Sequence, residues 1–374
     1  LIDTKFTDER RQFCKKLAYC GILASNLTLI SACGSYNTSL YASAFTDLSG
    51  NHFVGWFDQT VTLKGHVSLP NRAHDLFYNQ HNETLLVFSR RPGNVMFIID
   101  IKSQKIINTV LAEKNHHFYG HGVISLDGRY LFTSENRFDP QFTPYEGEIV
   151  VRNTHDFKVE TIFKSGGIGP HQIALLNNGN SIAVANGGIH THPDRPRSKL
   201  NLDTMSSNLS YINAKSGKVI GTFTPPNKQL SIRHLCVFKD RKVFAGCQYQ
   251  GPKHEPHPLI FAHDLASGQQ QLASLQTDLK DWLNFKQYTA SLAMSGKEDV
   301  LAVTSPRGGI ISFWDARSEK LICIEKHRDC AGIAEKGQHF IASTGRGELL
   351  STKNEISLLD RYPFQWDNHM IRIT

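Results

Sequence analysis

The chain has 374 residues, of which 40% are hydrophobic and 20% charged, with a formal net charge of +7. This composition supplies ample apolar side chain for a core and excludes disorder over most of the length. Its Lys and Arg are scattered, with no run of five or more and no interleaving with aromatics, which argues against nucleic acid as a partner.

The opening segment, residues 1–33, reads as an address. Glu9-Arg10-Arg11-Gln12-Phe13-Cys14-Lys15-Lys16 resembles a twin-arginine export motif, with Glu9 standing where Ser or Thr is usual. Leu17 to Ala32 follows as an apolar stretch diluted by Tyr19, Gly21, Ser25, Asn26 and Thr28, too short and too polar for a membrane span. The expectation is a signal peptide over 1–33, a folded domain over 34–374 and a periplasmic location; the alternative is an amphipathic helix of the domain itself. Ile30-Ser31-Ala32-Cys33-Gly34 also has the form of a lipobox, which would anchor the protein to the inner membrane through Cys33. A small-residue cleavage site that happens to precede a cysteine is the competing reading. Cysteines 33, 236, 247, 323 and 330 are too few for a disulfide scaffold, so the core must hold the fold. Cys236 and Cys247 flank a predicted hairpin, and two free buried thiols are expected there rather than a bridge.

After the leader, Tyr41-Ala-Ser-Ala-Phe, His52-Phe-Val-Gly-Trp-Phe-Asp and Thr60-Val-Thr-Leu-Lys-Gly-His read as three short strands. A recurring hairpin then begins: a polar residue, an apolar strand, a turn and a second apolar strand. Copies start at His74, His121, His171 and His234, and two more start at Tyr288 and Cys330. The interval runs from 63 residues (171 to 234) down to 39 (330 to 369), and further strands lie between, as in Gly147-Glu-Ile-Val-Val-Arg and Val159-Glu-Thr-Ile-Phe. Four strands per repeat make a propeller blade. A seventh copy at Trp366-Asp-Asn-His369 supplies one strand, and the three early strands complete it. The predicted fold is therefore an all-β, seven-bladed β-propeller closed by pairing the C-terminal inner strand with the N-terminal strands. Only Thr277-Asp-Leu-Lys-Asp-Trp-Leu-Asn-Phe hints at a turn or two of helix.

The residue leading each inner strand should point at the propeller axis. That predicts a ring of His74, His121, His171, His234, Tyr288, Cys330 and His369, side chains suited to metal ligation or proton transfer. The five histidines are the candidate metal ligands, for Fe, Cu or Zn. Around the ring the sequence places Arg90, Arg91, Glu135, Asn136, Asn186, Arg233, Gln248 and Arg307 as candidate ligand-binding residues, most of them following a second strand. Arginines there can grip a carboxylate or phosphate, or can pin blades together through carboxylates such as Glu135. His190-Thr-His192 reads as a surface loop, because His-x-His without a third ligand is a weak metal signal. Three readings of the ring stay open: a metal or anion site, a solvated structural channel, and catalysis.

The strings Arg90-Arg-Pro-Gly, Phe118-Tyr-Gly-His-Gly, Gly166-Gly-Ile-Gly-Pro-His, Ala185-Asn-Gly-Gly-Ile, Lys199-Leu-Asn-Leu-Asp-Thr-Met, Ser231-Ile-Arg-His-Leu, Gln248-Tyr-Gln-Gly, Thr304-Ser-Pro-Arg-Gly-Gly and Trp366-Asp-Asn-His together resemble the domain of unknown function 1513 family, from about Leu69 to Met370. The resemblance implies an exported, propeller-like protein with no established catalytic residues. It also implies a genetic setting beside periplasmic iron-uptake proteins of the imelysin and iron-transporter type, and so a binding or accessory role in iron acquisition. A metal-dependent enzyme acting on a small anion, or a protein-interaction scaffold, are the alternative functions. Cys33 is not a defining feature of that family.

Overall fold

The computed structural model describes residues 39–373 apart from positions 92, 196, 197 and 354, so the export motif and Cys33 lie outside the described residues. It contains seven four-stranded antiparallel sheets arranged as a β-propeller. In chain order, β1 (Leu40–Asp47), β2 (His52–Asp58) and β3 (Leu63–Leu69) come first. Blade 1 is β4 (Ala73–Asn79), β5 (Thr84–Ser89), β6 (Val95–Asp100) and β7 (Lys105–Leu111). Blade 2 is β8 (His116–Ile124), β9 (Tyr130–Arg137), β10 (Glu148–Asn153) and β11 (Val159–Lys164). Blade 3 is β12 (Pro170–Leu176), β13 (Ser181–Asn186), β14 (Asn208–Asn213) and β15 (Val219–Phe223), and blade 4 is β16 (Leu230–Phe238), β17 (Lys242–Tyr249), β18 (Ile260–Asp264) and β19 (Ala273–Ser274).

Blade 5 is β20 (Leu292–Met294), β21 (Val300–Ser305), β22 (Ile310–Asp315) and β23 (Leu321–Lys326). The expected short helix, α1 (Leu279–Leu283), precedes it and stacks Trp282 on Trp314 with ring centroids 5.3 Å apart. Blade 6 is β24 (Cys330–Lys336), β25 (His339–Thr344), β26 (Glu348–Ser351) and β27 (Ser357–Arg361). Finally β28 (Phe364–Arg372) pairs with β1, so the last strand and the first three form blade 7. The predicted closure is what the structure contains.

Second and third strands are buried on both faces because blades stack face to face, and their sequences read as continuous apolar runs: Leu85, Leu86, Val87 and Phe88 on β5, Ile182, Ala183, Val184 and Ala185 on β13. Fourth strands face water on one side, and Ile107, Ile162, Ile220 and Ile322 are exposed there. Closure rests on an aromatic cluster in which Trp366 meets Phe45, Phe57, Tyr362 and Phe364. Ion pairs from Asp367 to Arg72 and Arg90, at 2.6 and 3.4 Å, tie β28 to blade 1.

Six of the seven inner strands carry a bulge near their start. Opposite a single residue of the second strand, β4 sets His74 and Asp75, β12 sets His171 and Gln172, and β24 sets Ala331 and Gly332. Longer bulges set Tyr119, Gly120 and His121 on β8, and Asp367, Asn368 and His369 on β28. A bulge bends its strand and re-aims side chains that regular alternation would send elsewhere, and here it sends them to the axis.

This geometry corrects two members of the predicted ring. Cys330 pairs with Thr344 as Pro170 pairs with Asn186, so it sits one residue before the axial position, which Ala331 occupies. Its side chain is buried among Ile333, Phe340 and Ala342 instead. Tyr288 precedes β20, is bridged to Gln248 of blade 4, and lines the mouth above the histidines instead of leading an inner strand. Cys236 and Cys247 are free thiols, in register with Phe244 and Ile232 respectively.

Trp366→Ala is expected to cost ~3–5 kcal/mol of stability, the range for emptying a large aromatic site. Deleting residues 366–374 should leave β1 as an open edge and give aggregated protein. Urea unfolding of the point variant and size-exclusion of the truncated chain check both.

Candidate metal and anion site

The five histidines predicted for the ring do converge. Ring centroids of His121 lie 4.5 Å from His171, 4.9 Å from His74, 5.0 Å from His369 and 5.8 Å from His234. His369 is 4.8 Å from both His74 and His234. The register resolves the single predicted ring into two layers. His74, His171 and Arg233 occupy the first bulge position, nearer the mouth where inner strands begin; Asp75, His121, Gln172, His234 and His369 occupy the last. Gly120, at φ +96°, makes the packing feasible, because a Cβ there would lie 2.5 Å from His74 Cδ2.

Two overlapping triads offer ligand atoms within 4.8 Å of one another: His74, His121 and His171, and His121, His234 and His369. Three nitrogens bound to one ion at about 2.1 Å lie ~3.4–3.6 Å apart, so each imidazole of a triad has to close on the ion by up to about 0.7 Å. His121 Nδ1 donates to Asp75 Oδ2 at 2.6 Å, which makes Nε2 the ring nitrogen left to act as a ligand. That Nε2, His74 Nδ1, His171 Nδ1, His234 Nδ1 and His369 Nε2 are all buried without a protein hydrogen-bond partner. Desolvation, reinforced by neighbouring imidazoles, holds His74, His171 and His234 well below the ordinary histidine range, and desolvation pushes His369 down to about 4. Burial works to raise the Asp75 carboxyl, but the nearby His369 and His121 outweigh it and keep Asp75 below its usual value. Neutral imidazoles backed by a carboxylate are the protonation state and the orientation that metal ligation requires.

The cluster separates two cavities. Below it, a space of about 440 Å³ is lined by Asp75, His121, Gln172, Ser291 and His369 and then by apolar residues further along the inner strands, including Leu76 and Ile333. Above it, a space of about 260 Å³ touches His74, His171 and His234 and is lined by Arg90, Arg91, Lys199, Arg233 and Arg307, with Tyr119, Gln248, Gln250, Tyr288 and Asn368. The exposed walls of this upper cavity come from connections leaving second strands, which return to the mouth where the first strand began. Burial first, and then the neighbouring Arg91, lower the Arg233 guanidinium to about 10.

Of the predicted ligand-binding residues, Arg90, Arg91, Arg233, Gln248 and Arg307 therefore meet around one cavity, and Glu135, Asn136 and Asn186 do not line it. Glu135 is fully buried against Arg152 at 2.7 Å, within blade 2. Asn186 bonds Ser165, Asn208 and Ser210, bracing the start of blade 3. Asn136 is buried with neither amide atom bonded to protein. His190-Thr191-His192, expected as a surface loop, is buried: His192 Nε2 lies 2.8 Å from the Asp139 carbonyl and Thr191 Oγ1 2.9 Å from Tyr119 Oη. Sequence reasoning missed Asp75, Tyr119, Lys199 and Asn368 as site residues. The shared spacing of Phe118-Tyr-Gly-His121 and Trp366-Asp-Asn-His369, aromatic followed by histidine three residues on, was a signal for two of them.

The model of the family described as protein of unknown function (DUF1513) matches residues 67–373. The chain belongs to the DUF1513 family. Its match starts within β3, so β1 and β2 lie outside it although they complete blade 7. Every axial histidine of this DUF1513 chain falls inside the matched span. No curated protein matches the sequence. Among the described residues no helix is long and apolar enough to cross a membrane.

The depressed histidines make stability pH-dependent. In the unfolded chain each binds its proton near pH 6.5 but in the fold only well below that, at about 4 for His369, so below pH 6.5 the unfolded state holds more protons and stability falls as pH falls. Each contributes up to about 1.4 kcal/mol per pH unit in that window. In metal-free protein His74→Gln/His171→Gln should clearly reduce the loss between pH 6.5 and 5, measured by urea unfolding; an unchanged slope would mean that these imidazoles are not desolvated.

Proposed function

We propose that this DUF1513 chain is an exported metal-binding propeller that holds one first-row transition ion in its axial histidine cluster and serves as an accessory protein in iron acquisition. The observation that carries the reading is the set of five buried imidazole nitrogens without protein partners, on histidines that form two overlapping triads with ligand atoms within 4.8 Å of one another. An unsatisfied buried polar atom costs ~1–3 kcal/mol. A single cation accepts several of these lone pairs at once.

His121, His234 and His369 form the more deeply buried triad, and Asp75 stands behind His121 and 3.8 Å from His369 Nδ1. An all-imidazole set without thiolates favours Fe, Cu, Zn or Ni over hard cations such as Ca²⁺. The family resemblance supports iron within that group and a periplasmic iron-uptake protein of the imelysin type as the partner. The twin-arginine motif supports export of the folded protein, and Cys33 offers a lipid anchor.

Protein purified from its native compartment without chelator is expected to carry about one equivalent of a transition metal by elemental analysis. His121→Ala/His234→Ala should stay folded and lose it. Asp75→Asn should weaken binding by about 10- to 100-fold, the usual effect of removing a carboxylate behind a ligand histidine. Calorimetric titration with Fe²⁺, Cu²⁺ and Zn²⁺ reads wild type and both variants. Equal binding by wild type and the double variant would reduce the cluster to a water-filled structural channel.

A further inference from the structure

The upper cavity carries charge that a cation site does not explain. Five basic side chains line it and no carboxylate does. Arg90 shares the Asp367 carboxylate with Arg72. Among the described residues Arg91, Arg233 and Arg307 make no ion pair, and Lys199 bonds only the neutral Gln250, at 2.5 Å. Arg233 is 7% exposed, and its Nε has no hydrogen-bond partner. Two guanidiniums are instead braced on phenol rings, Arg91 over Tyr119 at 5.7 Å and Arg307 over Tyr288 at 4.5 Å. Stacking fixes a guanidinium's plane and leaves its N–H edge free, which is how arginine presents itself to an oxyanion.

A buried, unpaired guanidinium is costly unless something negative accompanies it. Like-charged side chains around one small space add repulsion to that cost. We propose that the upper cavity is a binding site for a small polyanion whose carboxylate or phosphate oxygens pair with Arg91, Arg233 and Arg307, with Lys199, Tyr119, Tyr288 and Gln248 as further donors. A monoanion would leave most of the four uncompensated cations unpaired, which selects ligands with two or more negative groups. The volume, about 260 Å³, lies below the ~300 Å³ at which pockets begin to take drug-sized molecules, which selects small ones. His74, His171 and His234 form its floor, so the bound anion lies against the imidazole cluster and offsets the charge of any ion held there.

The test uses metal-free protein, so its outcome is independent of the metal reading. Calorimetry and thermal melts are run with tricarballylate, succinate, inorganic phosphate and, as the monoanion control, acetate. Saturable binding and a raised melting temperature are expected with at least one polyanion, weakening as NaCl is added, and little effect with acetate. Tighter binding of tricarballylate assigns a polycarboxylate, tighter binding of phosphate a phosphorylated ligand. Arg91→Gln/Arg307→Gln, which breaks no ion pair in the fold, should weaken binding about tenfold or more. Arg233→Met should raise the melting temperature of the ligand-free protein and abolish the anion-induced rise. His121→Ala/His369→Ala, which removes two cluster histidines that do not line this cavity, should still bind the anion. Absence of heat and of a thermal shift with every polyanion at millimolar concentration, or full binding by Arg91→Gln/Arg307→Gln, would overturn the assignment.

Discussion

The hydrogen bond from His121 Nδ1 to Asp75 Oδ2, 2.6 Å long and buried between blades 1 and 2, is the contact around which the axial cluster is organised. It fixes the tautomer of the one histidine common to both triads and turns its Nε2 toward the others. It also places a carboxylate beside imidazoles that desolvation keeps neutral. Without Asp75, five imidazoles on one axis would face mainly each other and the Arg233 guanidinium. With it, the cluster has the polarity of a cation site beneath a cavity that has the polarity of an anion site.

The propeller supplies this arrangement through local departures from regular sheet. A regular inner strand aims alternate side chains into its own blade interface, where apolar residues belong. Placing two or three residues opposite one turns His74, His121, His171 and His369 out of that interface without breaking the blade. The carbonyls freed by the longer bulges find hydroxyl donors: Ser43 Oγ to His369 at 2.7 Å, Ser291 Oγ to Asn368 at 2.6 Å, Ser134 Oγ to His121 at 3.3 Å. Closure belongs to the same system, since β28 delivers His369 to the axis and pairs with β1 to finish the ring.

Most of the architecture was legible in the sequence because a blade has a local grammar: a polar leader, an apolar strand, a turn and a second apolar strand. Repetition of that grammar gave seven blades, the closing blade and the five histidines. The layering was not legible, because a bulge is a matter of pairing and not of composition; Cys330 looks like a leader until its partner Thr344 shows it to be one residue early. Glu135 and Asn186 were mistaken for mouth residues because they lie at or near the ends of second strands, yet each is in register with the residue just before a bulge and turns into its blade. Arg90, Arg91, Gln248 and Arg307 come at or beyond the ends of their second strands and do reach the cavity. Lys199 arrives from the long connection between β13 and β14, whose path no repeat pattern encodes.

The two cavities give the axis a direction: a basic mouth, a neutral imidazole layer, a carboxylate, and a largely apolar mouth. Linkage between an ion in the layer and an anion above it is reciprocal, each favouring the other by cancelling charge in a desolvated setting. The histidine layer is the part on which both depend. X-ray absorption spectroscopy at the metal edge of metal-loaded protein tests it most directly, because coordinated imidazole rings give outer-shell scattering that carboxylate or water ligands do not. The account predicts a nitrogen shell near 2.1 Å with at least three imidazoles, reduced in His369→Ala. A spectrum with no imidazole scattering, or one unchanged in that variant, would contradict it.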